Sequence, residues 1–184
     1  MEMHRSSQLP LVIFRPGIVI GRGGNPFHWG VGRFNQNVCE VWGDGQNKLP
    51  FVLATDVAAA LVRGIQVPGI DGRSFNLIDY PLISAREYLD ALQRGSGIRL
   101  SVIYRPIWQF YLADLAKWVV KMATGHPDRI RIPSYRDWET RTQKAVFDCN
   151  RARTELGWQP ASVRERILKE GIDDVLDGWL AAVR

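Results

Sequence analysis

Residues spaced for chemistry are few in this sequence, and they gather past the end of one apolar run. Leu11-Val12-Ile13-Phe14 is followed by Arg15-Pro16-Gly17-Ile18-Val19-Ile20-Gly21-Arg22-Gly23-Gly24. Proline cannot donate to a sheet ladder and glycine lets the backbone run close to a ligand, so Pro16 and Gly17 mark a strand end open to close approach. In an open parallel sheet, ligands bind in the crevice beyond the carboxyl ends of the strands. His28 and Trp29 follow on a glycine-rich stretch, where they either line a pocket or are ordinary surface or core residues. Lys48 precedes the next apolar run, and Arg129, Arg131, Arg136, Arg141 and Lys144 form a basic stretch able to hold an anion. The sequence has no Gly-x-Ser-x-Gly, His-Glu-x-x-His or P-loop, which argues against hydrolase, zinc protease and nucleoside-triphosphatase chemistry. Cys39 and Cys149 lie far apart without metal-type spacing. They predict free thiols in a reducing compartment, the cytoplasm, and no metal centre.

The elements that must position these residues alternate between strand and helix. Leu11 to Phe14 reads as a strand buried on both faces. Residues 1 to 8 read as the frayed end of a helix or a plain tail, so that strand has no preceding βα units to flank it, and the chain looks like a piece of a larger sheet. Pro26 to Asn35 predicts a short helix or a loop, Glu40-Val41-Trp42 a short strand, and Leu49 to Ala54 another. Thr55-Asp56 predicts the N-cap of a helix over 57–65, and Asp56 is read as that cap rather than as a catalytic acid. Ser74 to Ile78 is a strand; Ser84 caps a helix over 85–94, with Glu87 completing a capping box; Leu100 to Tyr104 is again a strand. Trp108, Tyr111, Leu112, Leu115, Trp118, Val119 and Met122 recur at helical spacing, with Asp114, Lys117 and Lys121 opposite. That helix is expected to pack on the sheet, although aromatics beside lysines also suit a membrane surface. Its length and charges predict no membrane span. Asn150 is expected to cap a helix ending at Gly157, and Ser162 a last helix running to Arg184.

Three collinear blocks carry a resemblance: Leu11 to Gly21, Leu49 to Leu61, and Asp148-Cys149-Asn150-Arg151-Ala152-Arg153-Thr154-Glu155-Leu156-Gly157-Trp158-Gln159-Pro160. They resemble the NAD-dependent epimerase/dehydratase family, the extended short-chain dehydrogenases, and only its second half. The resemblance implies that Pro16, Gly17 and Ile18 contact the nicotinamide end of NAD or NADP. Two devices of that family are missing from the sequence. There is no Gly-x-Gly-x-x-Gly turn after an opening strand to cradle the pyrophosphate. Nor does any tyrosine have a lysine four residues on: Tyr80, Tyr88, Tyr104, Tyr111 and Tyr135 meet Ser84, Leu92, Trp108, Leu115 and Glu139. By resemblance both devices would lie upstream of Met1, so no catalytic residue is assigned. Family members acting on nucleotide sugars usually carry an asparagine near Ile18 and an arginine where Leu49 stands. Their absence implies an apolar or small hydroxy/keto substrate, unless Lys48, Arg136 or Arg141 holds a phosphate from a shifted position.

The composition agrees with a soluble globular chain. Of 184 residues 46% are apolar, including 7 Trp and 7 Phe, enough for a packed core. The net charge of +5 is spread along the chain, which reads as a solvated surface rather than a nucleic-acid site. The expectation is therefore α/β: the C-terminal part of a Rossmann-type parallel sheet plus a small α/β substrate-binding region, residues 1–184 forming a single incomplete domain. The expected partner is a small-molecule substrate, with His28, Trp29, Lys48 and Arg136 lining its site. A non-catalytic ligand-binding module derived from the same family is the alternative. An uncovered Leu11–Phe14 strand also invites pairing with another copy of the chain.

Overall fold

A computed structural model describes residues 10–97, 99–127, 131–142 and 146–183. The tail expected over residues 1–8 lies outside the described residues, as do Arg129 and Lys144. The apolar run forms β1 (Ile13–Pro16), and after Gly17 the chain continues as β2 (Ile18–Ile20). β1 lies parallel to β7 (Ser74–Leu77), with Phe14 opposite Phe75, whereas β2 lies parallel to β6 (Phe51–Leu53), with Val19 opposite Val52. The change of neighbour takes one residue. The Gly17 N–H donates to the Leu77 carbonyl at 3.0 Å and the Ile18 N–H to the Pro50 carbonyl at 2.7 Å. A Cβ on Gly17 would run into the Pro50 carbonyl oxygen, so only glycine allows the crossing.

β1 departs from the expected strand in two ways. It starts at Ile13 rather than Leu11, and it is not buried on both faces: Leu11 to Phe14 are half-buried, and Arg15 and Pro16 are exposed. The reason is pairing. β7 occupies one edge, and the other edge has no strand beside it among the described residues.

A second sheet joins β3 (Gly32–Asn35), β4 (Val38–Trp42) and β9 (Ser101–Arg105), antiparallel then parallel. β3 falls where a short helix or loop was expected; a two-residue turn at Gln36 (φ 51°) and Asn37 folds it back onto β4 as a hairpin. Two short antiparallel strands, β5 (Lys48–Leu49) and β8 (Ile83–Ser84), complete the β structure.

Helix α1 (Ala54–Gln66) begins before the expected cap. Leu53 occupies the N-cap position without a side-chain bond, and Asp56 is buried in the first turn. Its carboxylate accepts the Ala161 N–H at 2.8 Å and the Arg166 guanidinium at 3.1 Å, while the Asp56 carbonyl accepts Trp158 Nε1–H at 2.8 Å. Asp56 thus ties the helix to the C-terminal segment instead of capping it. The capping box of α2 (Ala85–Ser96) is formed as expected: Ser84 Oγ accepts the Glu87 N–H and Glu87 accepts the Ser84 N–H. α3 (Ile107–Ala123) and α4 (Tyr135–Glu139) follow. α5 (Asn150–Thr154) is preceded not by an asparagine cap but by Asp148, whose Oδ1 accepts the Asn150 N–H at 2.8 Å. Ser162 caps nothing. α6 (Arg164–Leu168) starts after Val163, passes through a π-helical turn over Lys169–Asp173, and continues as α7 (Asp174–Val183).

Three apolar clusters hold these elements. One sits between β2, β4, β6 and α2 with the π turn behind it; a second joins β1, β7 and α1 to Leu156 and Trp158 of the C-terminal motif. The short helix ends at Thr154, with Glu155 at its C-cap, before the expected end at Gly157; Gly157, at φ 65°, turns the chain beyond it, and Trp158 packs inward as its sequence motif predicts. The third cluster is aromatic: Trp42 meets Phe110 at 4.7 Å and Trp138 at 5.5 Å, with Ile107 beside them. Only Ile107 and Phe110 of α3 are buried, so most of its apolar stripe does not pack on the sheet. Its charged side instead faces α4: Asp114 accepts Trp138 Nε1–H at 3.1 Å and pairs with Lys117 at 3.5 Å. No helix among the described residues is long and apolar enough to cross a membrane, and no cluster of His, Cys, Asp and Glu among them could hold a metal.

Candidate substrate site

The crossing at Gly17 leaves Ile18 and Pro50 side by side at the carboxyl end of β1, and a cavity of about 230 Å³ opens there. Trp42, Leu49 and Phe147 give it apolar walls, and Asn47, Lys48 and Arg141 its polar groups. Arg141 is held by aromatic faces. Its guanidinium carbon lies 4.8 Å from the Trp138 ring, 5.2 Å from Trp42 and 5.9 Å from Trp29. Such stacking costs a guanidinium little hydration and leaves its N–H edge usable. The Asn47 amide donates to the Arg141 carbonyl at 3.0 Å, and Arg141 Nε is buried without a hydrogen-bond partner among the described residues. A planar cation fixed in this way suits an anionic or carbonyl group entering the cavity.

Lys48 lines the same cavity, but its ammonium is bound to Glu87 Oε2 at 2.8 Å. Glu87 also takes Arg164 at 2.7 Å. Burial pushes the Glu87 carboxyl up, but bonds from Lys48, the Ser84 N–H and Arg164 outweigh it and hold the group down at about 2. The lysine is therefore a neutralised wall rather than an available cation.

The solved structures that this chain resembles include UDP-sugar epimerases. UDP-glucuronic acid 4-epimerase from Bacillus cereus, solved with NAD, matches with a TM-score of 0.66 and 17% identity over 98% of this chain and 48% of its own. UDP-glucose 4-epimerase from Thermotoga maritima, solved with UDP-glucose, gives 0.64 and 17% over 100% and 50%. An epimerase from Methanothermobacter thermautotrophicus gives 0.68 and 18% over 99% and 46%. The chain has the fold of half an epimerase. No family model matches the sequence, and neither does any curated protein.

Within this epimerase half-fold, the residues picked from sequence are dispersed. Ile18 and Lys48 line the cavity, and Trp29 reaches it through Arg141 and its 5.5 Å contact with Trp42. Pro16 is exposed at the strand end. His28 organises its own loop: Nδ1 accepts the Gly30 N–H at 2.9 Å, which fixes the proton on Nε2, and burial lowers its pKa. Arg136 is exposed on α4 and is not among the residues lining the cavity; Arg141 is the cation found there. Asn47, Trp42 and Phe147 carry no motif, and only the fold brings them together.

Asp79 is the other residue that sequence reasoning missed. It is 1% exposed, and one carboxyl oxygen accepts the Leu53 N–H at 2.8 Å while the other has no partner among the described residues. Burial pushes its pKa up to about 7; the Leu53 N–H opposes, the neighbouring Asp56 charge adds to the rise and Arg166 opposes again. Its sequence context, Leu77-Ile78-Asp79-Tyr80-Pro81, reads as an ordinary turn after a strand.

Proposed function

We propose that this chain is the C-terminal, substrate-side half of an NAD(P)-dependent epimerase/dehydratase-like oxidoreductase acting on a hydroxy or keto substrate, and that residues 1–184 form one incomplete domain. The supporting observation is the mismatch of coverage: 98% of this chain but 48% of the Bacillus cereus epimerase is aligned. The open edge of β1 agrees with it.

The residues present fit one end of the cofactor. No Gly-rich turn for the pyrophosphate occurs in the sequence, whereas the backbone at Gly17 and Ile18 is fixed by hydrogen bonds to Leu77 and Pro50 just beyond Pro16, where the resemblance puts the nicotinamide end. When bound, NAD or NADP would supply hydride transfer. In this reading, Gly17 and Ile18 fix the ring face, and Arg141 orients a substrate carbonyl or anionic group against it. Trp42 and Phe147 exclude water, and Trp29 covers Arg141. The epimerases solved with UDP-glucose and with UDP-glucuronic acid point to sugar nucleotides as one substrate class. Ile18 and Leu49 favour a less polar one, and Arg141 serves either.

The deciding experiment is to sequence the DNA upstream of the Met1 codon in the same frame. The expected result is an open frame encoding a Gly-rich strand–helix turn and a Tyr-x-x-x-Lys. A stop codon directly ahead of Met1 would overturn the reading in favour of a cofactor-free small-ligand-binding module.

A further inference from the structure

The junction between α1 and the C-terminal segment holds more carboxyl groups than cations. Asp56 and Asp79 are neighbours, both buried, and Glu170 lies at the rim. Among the described residues the cation paired with them is Arg166, which reaches Asp56 at 3.1 Å and Glu170 at 2.8 Å. A charge on Asp79 as well would stand beside Asp56 without a counterion, in a place that water does not reach. The hydrogen bonds point the same way. Asp79 Oδ2 accepts the Leu53 N–H, but Oδ1 is buried with no donor facing it among the described residues, and its neighbour is the Asp56 carboxylate, itself an acceptor. Two such groups can bond only if one of them carries a proton. A proton on Asp79 turns the repulsion into a charge-assisted hydrogen bond and leaves Asp56 and Glu170 to share Arg166. The other groups facing Asp79 supply no counter-charge: Cys149, at the start of α5, stays a neutral thiol because burial raises its pKa, and β6 offers the Leu53 N–H.

This pair sits where the C-terminal segment is fastened. Asp56 receives Trp158, Ala161 and Arg166, and Thr55 Oγ1 donates to Glu170 Oε2 at 3.2 Å beside it. We propose that Asp79 and Asp56 share a proton that latches the C-terminal segment onto α1, so that the segment opens more readily as pH rises. The sign follows from linkage. Burial lifts the Asp79 pKa from 3.8 to about 7 in the closed form, so opening releases a proton between those values, and each pH unit there favours opening by about tenfold. The latch reaches the substrate cavity through Tyr80. Its N–H donates to the Ala161 carbonyl at 3.3 Å and its O–H to the Phe147 carbonyl at 2.7 Å, and Phe147 is a wall of that cavity. Opening therefore loosens the wall, whatever the cavity binds.

The test is amide hydrogen exchange by NMR at pH 5, 6, 7 and 8, read at the Ala161 and Tyr80 N–H groups, which bond across the junction, and at the amides of β4 in the other sheet. Protection factors remove the intrinsic pH dependence of exchange. Ala161 and Tyr80 are expected to be less protected than β4 at every pH, because the segment opens without the rest of the chain unfolding. Their protection should fall by up to about tenfold per pH unit from pH 5 to pH 7 and level off by pH 8. In Asp79→Asn, which has no proton to release, it should not vary with pH. A pH dependence that Asp79→Asn leaves in place overturns the proposal. So does protection of Ala161 and Tyr80 equal to that of β4, since the proton would then leave only when the whole chain unfolds. If Asp79→Asn does not fold, the carboxyl carbon of Asp79 in the unaltered chain decides. It should resonate as a protonated acid at pH 5, and a carboxylate shift there overturns the shared proton.

Discussion

Replacing Asp79 by asparagine should stabilise this protein at neutral and alkaline pH and leave it nearly unchanged in mild acid. The carboxyl is 1% exposed, so little solvent screens it. Its pKa is pushed from 3.8 to about 7, chiefly by burial. A carboxyl whose folded pKa lies above its unfolded one binds more protons in the native state, so stability falls as pH rises through the interval between the two values. The interval here runs from about 4 to about 7, and at about 1.4 kcal/mol for each tenfold step the loss reaches about 4 kcal/mol at most. Asparagine keeps an oxygen for the Leu53 N–H and offers its amide to the neighbouring Asp56 carboxylate without ever ionising. Urea unfolding of both proteins at pH 4, 6 and 8 would separate this term from every other titration, since only the difference between variant and parent matters. The variant's advantage should grow from near zero at pH 4 to a midpoint shift of about 1–2 M urea at pH 8 for a slope of about 2 kcal/mol per M. An advantage independent of pH, or a variant weaker at pH 8 than at pH 4, would refute the argument by showing that Asp79 is ionised and paired in the native state.

Three further substitutions test the framework of the site. Gly17→Ala places a methyl against the Pro50 carbonyl, which must break the Ile18–Pro50 bond; a loss of about 1–3 kcal/mol in denaturant unfolding is expected, together with loss of any ligand bound beside Ile18. Glu87→Gln removes the shared partner of Lys48 and Arg164 and should cost about 1–3 kcal/mol at pH 7. Because the Glu87 pKa is depressed to about 2, the parent's advantage should persist at pH 5 and disappear as pH falls from about 4.5 towards 2, followed by circular dichroism. Trp158→Phe keeps the ring in the core but leaves the Asp56 carbonyl without its donor, for a loss of about 1–2 kcal/mol in thermal or urea unfolding; an unchanged midpoint would mean that water replaces the indole.

Local chemistry was legible in the sequence wherever a residue acts on its near neighbours. Ser84 and Glu87 form their capping box, Gly157 takes the left-handed turn before Trp158, and the bounds of α3 fall within a residue of the periodic run. What the sequence concealed depends on residues distant along the chain, from 24 to 110 positions away. Thr55-Asp56 has the form of a cap, yet Asp56 answers to Ala161 and Arg166. The outward turn of α3 follows from the bond between Asp114 and Trp138, which hydrophobic periodicity cannot register because either face of an amphipathic helix can be the inner one. Arg141 was one of five basic residues in an irregular stretch. Trp29 and Trp42, far earlier in the chain, single it out.

The Asp56 junction also bears on how the chain is made. Its partners Trp158, Ala161 and Arg166 stand 102, 105 and 110 residues later. At about 5–20 residues per second a ribosome needs roughly 5–20 s to deliver them after Asp56 has emerged. Until then, Asp56 and the inner faces of α1 and β7 wait in water with no counterpart. A nascent chain arrested before Trp158 should therefore be a client of chaperones rather than a partly finished domain, and a premature stop there should abolish the protein instead of trimming it.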